Sequence, residues 1–547
     1  MSERIRLTPL GGVGRFGRNC LLIEHLGLDG TPGDALVVDC GVRFVGDDAP
    51  GFDVGLPDLE RLGSVGDRLK GYVITHGHED HIGGLPYALR ERQAPVFCTS
   101  WTARLIARRC ARVGGAVPAI DVVDFGERRS IGPFTFRLLA VSHSIPDASC
   151  LVLDTPAGTL VHSGDFRVDD DPVLGEKTDM PGLTAVGDAG VVALLADSTG
   201  ALTEGKNAGE RSVWPSLQAS IEGALGRVFV TLFASHLQRL ALLLELARQS
   251  NRKVGLLGKG LQDTRGLAEA EARLLFGDVL LEERALQQLP RHRQLWCVTG
   301  SQGESGAALA RLSRGDESMP PLERGDRVVV SARVIPGNEL RVAEILEALA
   351  ERGADIVDGR RAPHVSGHGS RQDLEALVLA TRPACFVALH GNARNLLAHQ
   401  ELVASAGVEK DRVVDLRDGS SLVISADAGI EVHDAPRAHE PVAAFGEVEY
   451  FPRDTIAARQ RMGTAGVLVV VDADPVHLVC RGIFPRLSED LERALRQDAA
   501  KALALHGTEQ GAAALHTLTR HFRRHRRVPP EIVLLPENVL LPSEGSS

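Results

Sequence analysis

The run Thr75-His76-Gly77-His78-Glu79-Asp80-His81 constrains this chain more than any other feature. It closes the apolar stretch Gly71-Tyr72-Val73-Ile74, which reads as a buried strand. Three imidazoles and a carboxylate within six residues are donors for zinc-like ions. His76 and His78, two apart in extended backbone, face the same way and can clamp one ion. Asp80 and His81 follow the turn and can face a second. Two donors per ion are not enough, so the fold must bring others to the same place. His143 (Val141-Ser142-His143) and Asp165 (His162-Ser163-Gly164-Asp165) stand at the polar ends of later apolar strands. His143 can complete the first site and Asp165 can bridge the two ions. Asp39, closing Ala35-Leu36-Val37-Val38, is expected to orient the donors from behind.

Around these residues the first 200 positions read as short strands at 5–10, 19–26, 35–41, 71–76, 134–142, 149–155 and 158–164, with helices near 84–93 and 101–113. Two sheets packed face to face and covered by helices suit that rhythm. From 206 to 362 strands (227–233, 253–258, 294–300, 326–332) alternate with helices (212–225, 236–249, 261–276, 305–313, 338–352), which implies a parallel α/β sheet. A helix at 371–381 and a strand at 385–391 return to the first unit. Residues 433–462 are polar and contain proline, and read as a linker. A last small α/β unit over 463–547 has a strand near 466–473, helices near 488–505 and 510–524, and a strand at 531–535.

Composition narrows the function classes. The 547 residues carry 61 basic and 72 acidic side chains, a net charge of −11, which excludes a surface that is basic throughout but not a local basic groove. Aromatics are 4%, against recognition by extensive base stacking. The eight cysteines are scattered without a CxxC pair and read as reduced thiols of a cytoplasmic protein. No apolar run suits a membrane span or a signal peptide.

The pattern HxHxDH followed by a separate His143 and Asp165 resembles the metallo-β-lactamase superfamily, whose αββα sandwich agrees with the strand pattern. Asp197-Ser198-Thr199, His364-Val365-Ser366-Gly367-His368 and His390-Gly391 look like the acid and two histidines that mark its β-CASP nucleases. Closer still is the similarity to the ribonuclease J family. GGVGRFGRNC, THGHEDHIGG, HSIPD, SGDF, ADST, FAS, TGSQGES, IPGNE, SGH and LHG occur in that family's order over about residues 5 to 425. The resemblance implies a metallo-β-lactamase core over 1–205 and 363–432, an inserted β-CASP domain over 206–362, and a small C-terminal α/β domain. It implies one metal ion, zinc by family habit, on His76, His78, His143 and Asp165. A second would sit on Asp80, His81, Asp165 and His390. Manganese or magnesium are the other ions to consider. Such a pair arms water for in-line displacement at phosphorus. His368 would stand beside the scissile phosphate, Asp197 would position it, and Asp80 would share in catalysis. Phe233, Ala234, Ser235 and the segment His364, Val365, Ser366, Gly367, His368 would line a channel for single-stranded RNA, with backbone N–H groups of the Ser-Gly-His stretch approaching phosphate oxygens. A cytoplasmic homodimer or homotetramer with endonucleolytic and 5′-to-3′ exonucleolytic activity is the family's form.

The chain departs from that family at Gly200, where Asn is usual, at Gly369 for Ala, at Asn392-Ala393-Arg394 for Glu, and at Arg333 for a small residue. No departure removes a metal donor. They bear on substrate preference and 5′-phosphate selectivity. Two other readings remain: a hydrolase of small lactams or thioesters on the same fold, and a weakly active RNA-binding subunit. Gly12-Val13-Gly14-Arg15-Phe16-Gly17 fits GxGxxG, but a strand follows where a dinucleotide site needs a helix, so a tight turn near the metal cleft is expected. Thr299 to Ser305 can cradle a phosphate or serve as a plain turn. Arg520, Arg523, Arg524, Arg526 and Arg527 form a basic helix end, solvated or contacting RNA.

Overall fold

Strands dominated by buried Val, Leu and Ile assemble two large sheets in the computed structural model of the protein. The structure describes residues 3–44, 54–335, 338–359, 363–427, 429–434, 439–444, 447–452, 462, 467–472, 476–481, 489–506, 518–519 and 531–536. They form two units, 1–42 with 57–436, and 43–56 with 437–547.

In the first unit an eight-stranded sheet runs Ile430–His433, Ser421–Ser425, Arg4–Gly11, Cys20–Leu26, Pro32–Val38, Leu69–Val73, Val96–Cys98, Ile120–Val122. A seven-stranded sheet runs Arg129–Ile131, Phe134–Ala140, Ser149–Thr155, Gly158–His162, Ala193–Asp197, Phe386–Leu389, Val413–Val414. Between them Phe97 meets Phe136 edge-on, ring centroids 5.6 Å apart. This is the expected sandwich. The helix Ser100–Val113 ends where Gly114 takes φ 72°, a left-handed cap that favours glycine.

The inserted segment builds a five-stranded sheet with parallel neighbours throughout, in the order Lys253–Leu257, Gln294–Val298, Val228–Thr231, Arg327–Val330, Asp355–Val357. Phe229 and Trp296 stack at 6.5 Å in its core. Gly255 leaves room for them, since a Cβ there would lie 2.6 Å from the Trp296 ring. The expected helix at 305–313 starts later, at Ala308. Before it Gln302 Oε1 accepts from Ile335 N at 2.7 Å, so the loop from Thr299 is a bracket to the next strand's loop.

In the second unit Val467–Asp472 pairs antiparallel with His477–Arg481 and parallel with Glu531–Pro536. Leu495, Ala499 and Leu503 of the helix Glu489–His506, one stripe at helical spacing, pack with Leu468 and Val470. Within 433–462, expected as a linker, two strands form instead. His439–Ala444 pairs with Glu447–Pro452 and, through Val442 and Ala443, with Val54–Gly55. Pro441 falls outside the two positions that face Val54–Gly55, so its missing N–H costs no pairing there. The helix expected at 510–524 is described only at 518–519, and the arginine cluster from Arg520 to Arg527 lies outside the described residues.

Among the described residues seven cysteines are buried, and burial pushes the thiols of Cys98, Cys150 and Cys297 up to about 12 and that of Cys385 to about 11. Since the thiolate is the nucleophile, native protein at pH 8 should leave all seven (Cys20, Cys40, Cys98, Cys110, Cys150, Cys297, Cys385) unmodified by an alkylating reagent. Peptide mass analysis before and after denaturation would check this.

Candidate metal centre

The Leu69–Val73 strand delivers Thr75 to His81 to the edge of the sandwich, and two glycines make the turn possible. A Cβ on Gly77 would lie 2.3 Å from Leu105, and one on Gly41 would overlap the Asp80 carbonyl at 1.6 Å. The second sheet contributes His143 beyond Phe134–Ala140, Asp165 beyond Gly158–His162, Asp197 at the end of its strand, and His390 just after Phe386–Leu389. Backbone bonds between Arg167 N and Ser142 O (2.8 Å) and between His390 N and Gly12 O (3.1 Å) fasten these loops to their neighbours.

The donors converge into clusters. One is His76, His78, His143 and Asp165; another is Asp80, His81, Asp165 and His390; in each the candidate atoms lie within 4.8 Å of one another. His78 Nδ1 is 3.1 Å from both His76 Nε2 and His143 Nε2. His81 Nε2 stands 3.3 Å, and His390 Nε2 3.7 Å, from Asp165 Oδ2. His390 and His81 lie 3.6 and 3.7 Å from Asp80 Oδ2. Donors held about 2.0–2.2 Å from a tetrahedral ion stand roughly 3.3–3.6 Å apart, so these spacings and this donor set fit divalent cations.

The far ring nitrogens are engaged as metal-binding imidazoles require. Asp39 accepts from His81 Nδ1 at 2.8 Å and from Thr75 N and Oγ1, both 2.8 Å. Thr75 Oγ1 in turn accepts from His76 Nδ1 at 3.1 Å. His143 Nδ1 donates to Gly367 O and His390 Nδ1 to Asn19 Oδ1, both at 2.8 Å. Each bond leaves Nε2 with its lone pair toward the cluster. Burial holds His76, His78 and His143 below the ordinary imidazole range, His78 at about 4, so they stand neutral. Burial opposes a proton on His368 too, but Asp197, 2.7 Å from its Nδ1, with Asp165 and Asp80, outweighs that and raises it to about 9.

A third cluster joins Asp197 and His368 to Asp165 and His390. Asp197 is fixed in turn by Thr199 N at 2.9 Å. Of the channel residues, Ser235 lines a cleft that also touches His78. His364 does not enter the clusters; burial and the Arg239 charge press it down to about 3. In the Ser-Gly-His stretch, one amide expected to face phosphate is already used, His368 N by Ser366 Oγ (3.1 Å), and just beyond the stretch Gly369 N donates to Phe166 O (2.6 Å).

Several functional neighbours escaped the sequence reading. Asn19 Nδ2 donates to Asp80 O at 3.1 Å while its oxygen holds His390, and Phe16 stands edge-on to the His390 ring. Phe16 sits in the glycine-rich run read as a turn and Asn19 two residues after it; Gly12, Gly14 and Gly17 have φ of 94°, 81° and 83° and the strand Cys20–Leu26 follows. Asn207, whose Nδ2 donates to Ser366 O and His368 O at 2.9 and 2.8 Å, carried no signal in the sequence.

Comparison with known proteins agrees with this geometry. Residues 13–221 match the family model of the metallo-beta-lactamase superfamily, and residues 225–349 that of the ribonuclease J beta-CASP domain. The chain is 33% identical to ribonuclease J of Synechocystis sp., over 90% of this chain and 78% of that one. It is 38% identical to ribonuclease J of Mycolicibacterium smegmatis, over 77% and 75% of the two chains. The chain belongs to the ribonuclease J family. A crystal structure of a protein of unknown function from Enterococcus faecalis V583 shares the fold, with a TM-score of 0.54 at 15% identity over 77% of this chain and all of that one. Among the described residues no helix is long and apolar enough to cross a membrane.

In a ribonuclease J family protein built this way, removing the support behind a donor should loosen the ion. Asp39→Asn leaves His81 Nδ1 without its carboxylate and should lower metal affinity by about 10- to 100-fold. Metal content after dialysis against a weak chelator, read by atomic emission against wild type, checks it.

Proposed function

We propose that this protein is a metal-dependent ribonuclease hydrolysing phosphodiester bonds of single-stranded RNA, as endonuclease and as 5′-to-3′ exonuclease, in RNA processing and decay. One observation carries the reading: two donor clusters meet at a single carboxylate, Asp165, with the His368–Asp197 pair against that shared corner. His76, His78, His143 and Asp165 would hold one ion, and Asp80, His81, Asp165 and His390 the other, two zinc ions per subunit in this proposal. When bound, such a pair supplies water acidified toward neutral pH and positive charge beside the phosphate oxygens.

The chain's own residues supply placement and a proton. Asp197 holds His368 through Nδ1, leaving Nε2 available to stabilise charge on the phosphate or to protonate the leaving oxygen. Asp80, steadied by Asn19, belongs to the ion cage and to the catalytic set together. Phe233 to Ser235 and His364 to His368 would line the strand's path between core and insertion. The insertion itself favours RNA over a small lactam or thioester, because a compact substrate needs no second domain closing over it. We place the core at 1–205 and 363–432 and the insertion at 206–362, and take the working form to be a cytoplasmic homodimer or homotetramer.

Metal-loaded protein given 5′-monophosphorylated and 5′-triphosphorylated single-stranded RNA should release mononucleotides from the first and internal fragments from both. Hydrolysis of a chromogenic lactam with no cleavage of either RNA would overturn the reading. His368→Ala should keep both ions and lose about 10²- to 10⁴-fold in turnover; loss of metal instead would reassign that histidine as a ligand.

A further inference from the structure

Beside His78, outside the donor clusters, opens a cleft of about 540 Å³. One wall is the helix Ser100–Val113, with Trp101, Arg108, Arg109 and Arg112; Ser235 and Thr264 come from the insertion. Arg109 and Arg112 approach the single carboxylate of Glu79 at 3.3 and 3.6 Å, and Arg109 also donates to Gly83 O. Three guanidinium groups thus stand against two acids, because Asp263 as well as Glu79 acts on Arg108, in a chain whose net charge is −11. Arg108 is not one of the two that pair with Glu79. It is half-buried, and its Nη1 is sealed from solvent without a hydrogen-bond partner among the described residues. Trp101, seven residues earlier and so on the same helix face, is 1% exposed and its Nε1 is likewise buried without an acceptor.

Buried donors are nearly always satisfied, and two orphaned ones lining a single cleft with an excess of positive charge call for an anionic acceptor. A phosphate, with several acceptor oxygens, matches a guanidinium, an indole N–H and the Ser235 and Thr264 hydroxyls. His78 belongs to this wall and to the first donor cluster alike, so an anion bound here lies on a strand that reaches the ions. We propose that this cleft binds a backbone phosphate of the RNA strand neighbouring the one that is cut, with Arg108 as its principal contact. The inference rests on the ribonuclease reading above and adds a subsite to it.

Binding of a fluorescent single-stranded RNA is measured against salt, with metal-loaded protein in a His368→Ala background so that the strand stays intact. Arg108→Ala should weaken binding about tenfold and reduce the slope of log K against log salt by about 0.7, the share of one phosphate on a single strand. Arg108→Lys should restore the slope, and Arg284→Ala, a charge lost from the exposed helix Glu283–Gln287, should leave it alone. In the native background Arg108→Ala should raise KM with kcat within about twofold and metal content unchanged. Arg112→Ala, on the exposed side of the helix, carries the same slope test if melting shows that Arg108→Ala does not fold. A wild type that cleaves RNA, with both variants keeping its slope, overturns this inference alone. A wild type that neither binds nor cleaves RNA overturns the ribonuclease reading and this subsite with it.

Discussion

Asp165 Oδ2 has five imidazole nitrogens around it, those of His81 at 3.3 Å, His76 and His390 at 3.7 Å, and His143 and His368 at 3.9 Å. The residue is 3% exposed. A buried carboxylate is costly unless positive charge stands against it, and burial keeps two of these rings, His76 and His143, neutral. A divalent cation meets that demand, and the same oxygen lies within reach of both donor sets. The rest of the centre follows from this one requirement. Four of the rings, His81, His76, His143 and His390, turn Nε2 inward and so need a partner behind Nδ1, and Asp39, Thr75, Gly367 and Asn19 are those partners.

The sandwich meets that requirement through strand direction. Pro32–Val38 and Leu69–Val73 are parallel neighbours in one sheet, and Gly158–His162, Ala193–Asp197 and Phe386–Leu389 are parallel neighbours in the other. Phe134–Ala140, two antiparallel steps from Gly158–His162, runs the same way. Asp39, the His76–His81 run, His143, Asp165, Asp197 and His390 therefore all leave from carboxyl ends of strands. Side chains up to about 350 positions apart are brought together by topology before any local packing acts.

What the sequence revealed was the set of strand ends, because an apolar run followed by a His or Asp is a local pattern. What it hid was every partner that acts across distance. Asn19 serves His390 and Asn207 serves His368, and neither has a neighbour in sequence that marks it. The helix Met180–Ala189 was missed because Pro181, Gly182 and Gly187 lower its propensity; the Asp179 cap that starts it is visible only once Gly182 N is seen to donate to it. The departures at Gly200 and Gly369 looked separate. In the fold they are one feature, since a Cβ on Gly200 would lie 1.8 Å from Gly369 O, and the bare backbones let the Asp197 and His368 loops pass in contact. Asn392, also a departure, caps the helix Ala393–Ser405 by accepting from Arg394 N and Asn395 N.

The loop that carries His368 is fixed from both domains. Arg167, two residues after Asp165, donates to Ser366 O at 3.1 Å. Arg239, in the insertion's helix Leu237–Gln249, donates to Pro363 O and Ser331 O, both at 2.9 Å. Glu210 joins them, 2.6 Å from Arg239 and 3.7 Å from Arg167, and all three are fully buried. Such a network is poor value as pure stability, because apolar residues of the same volume often do as well. It does what apolar packing cannot, which is to fix carbonyl groups in direction. The carbonyls of Pro363 and Ser366 flank the segment that ends in His368, so the same buried charges that join insertion to core also set where that imidazole stands relative to Asp165.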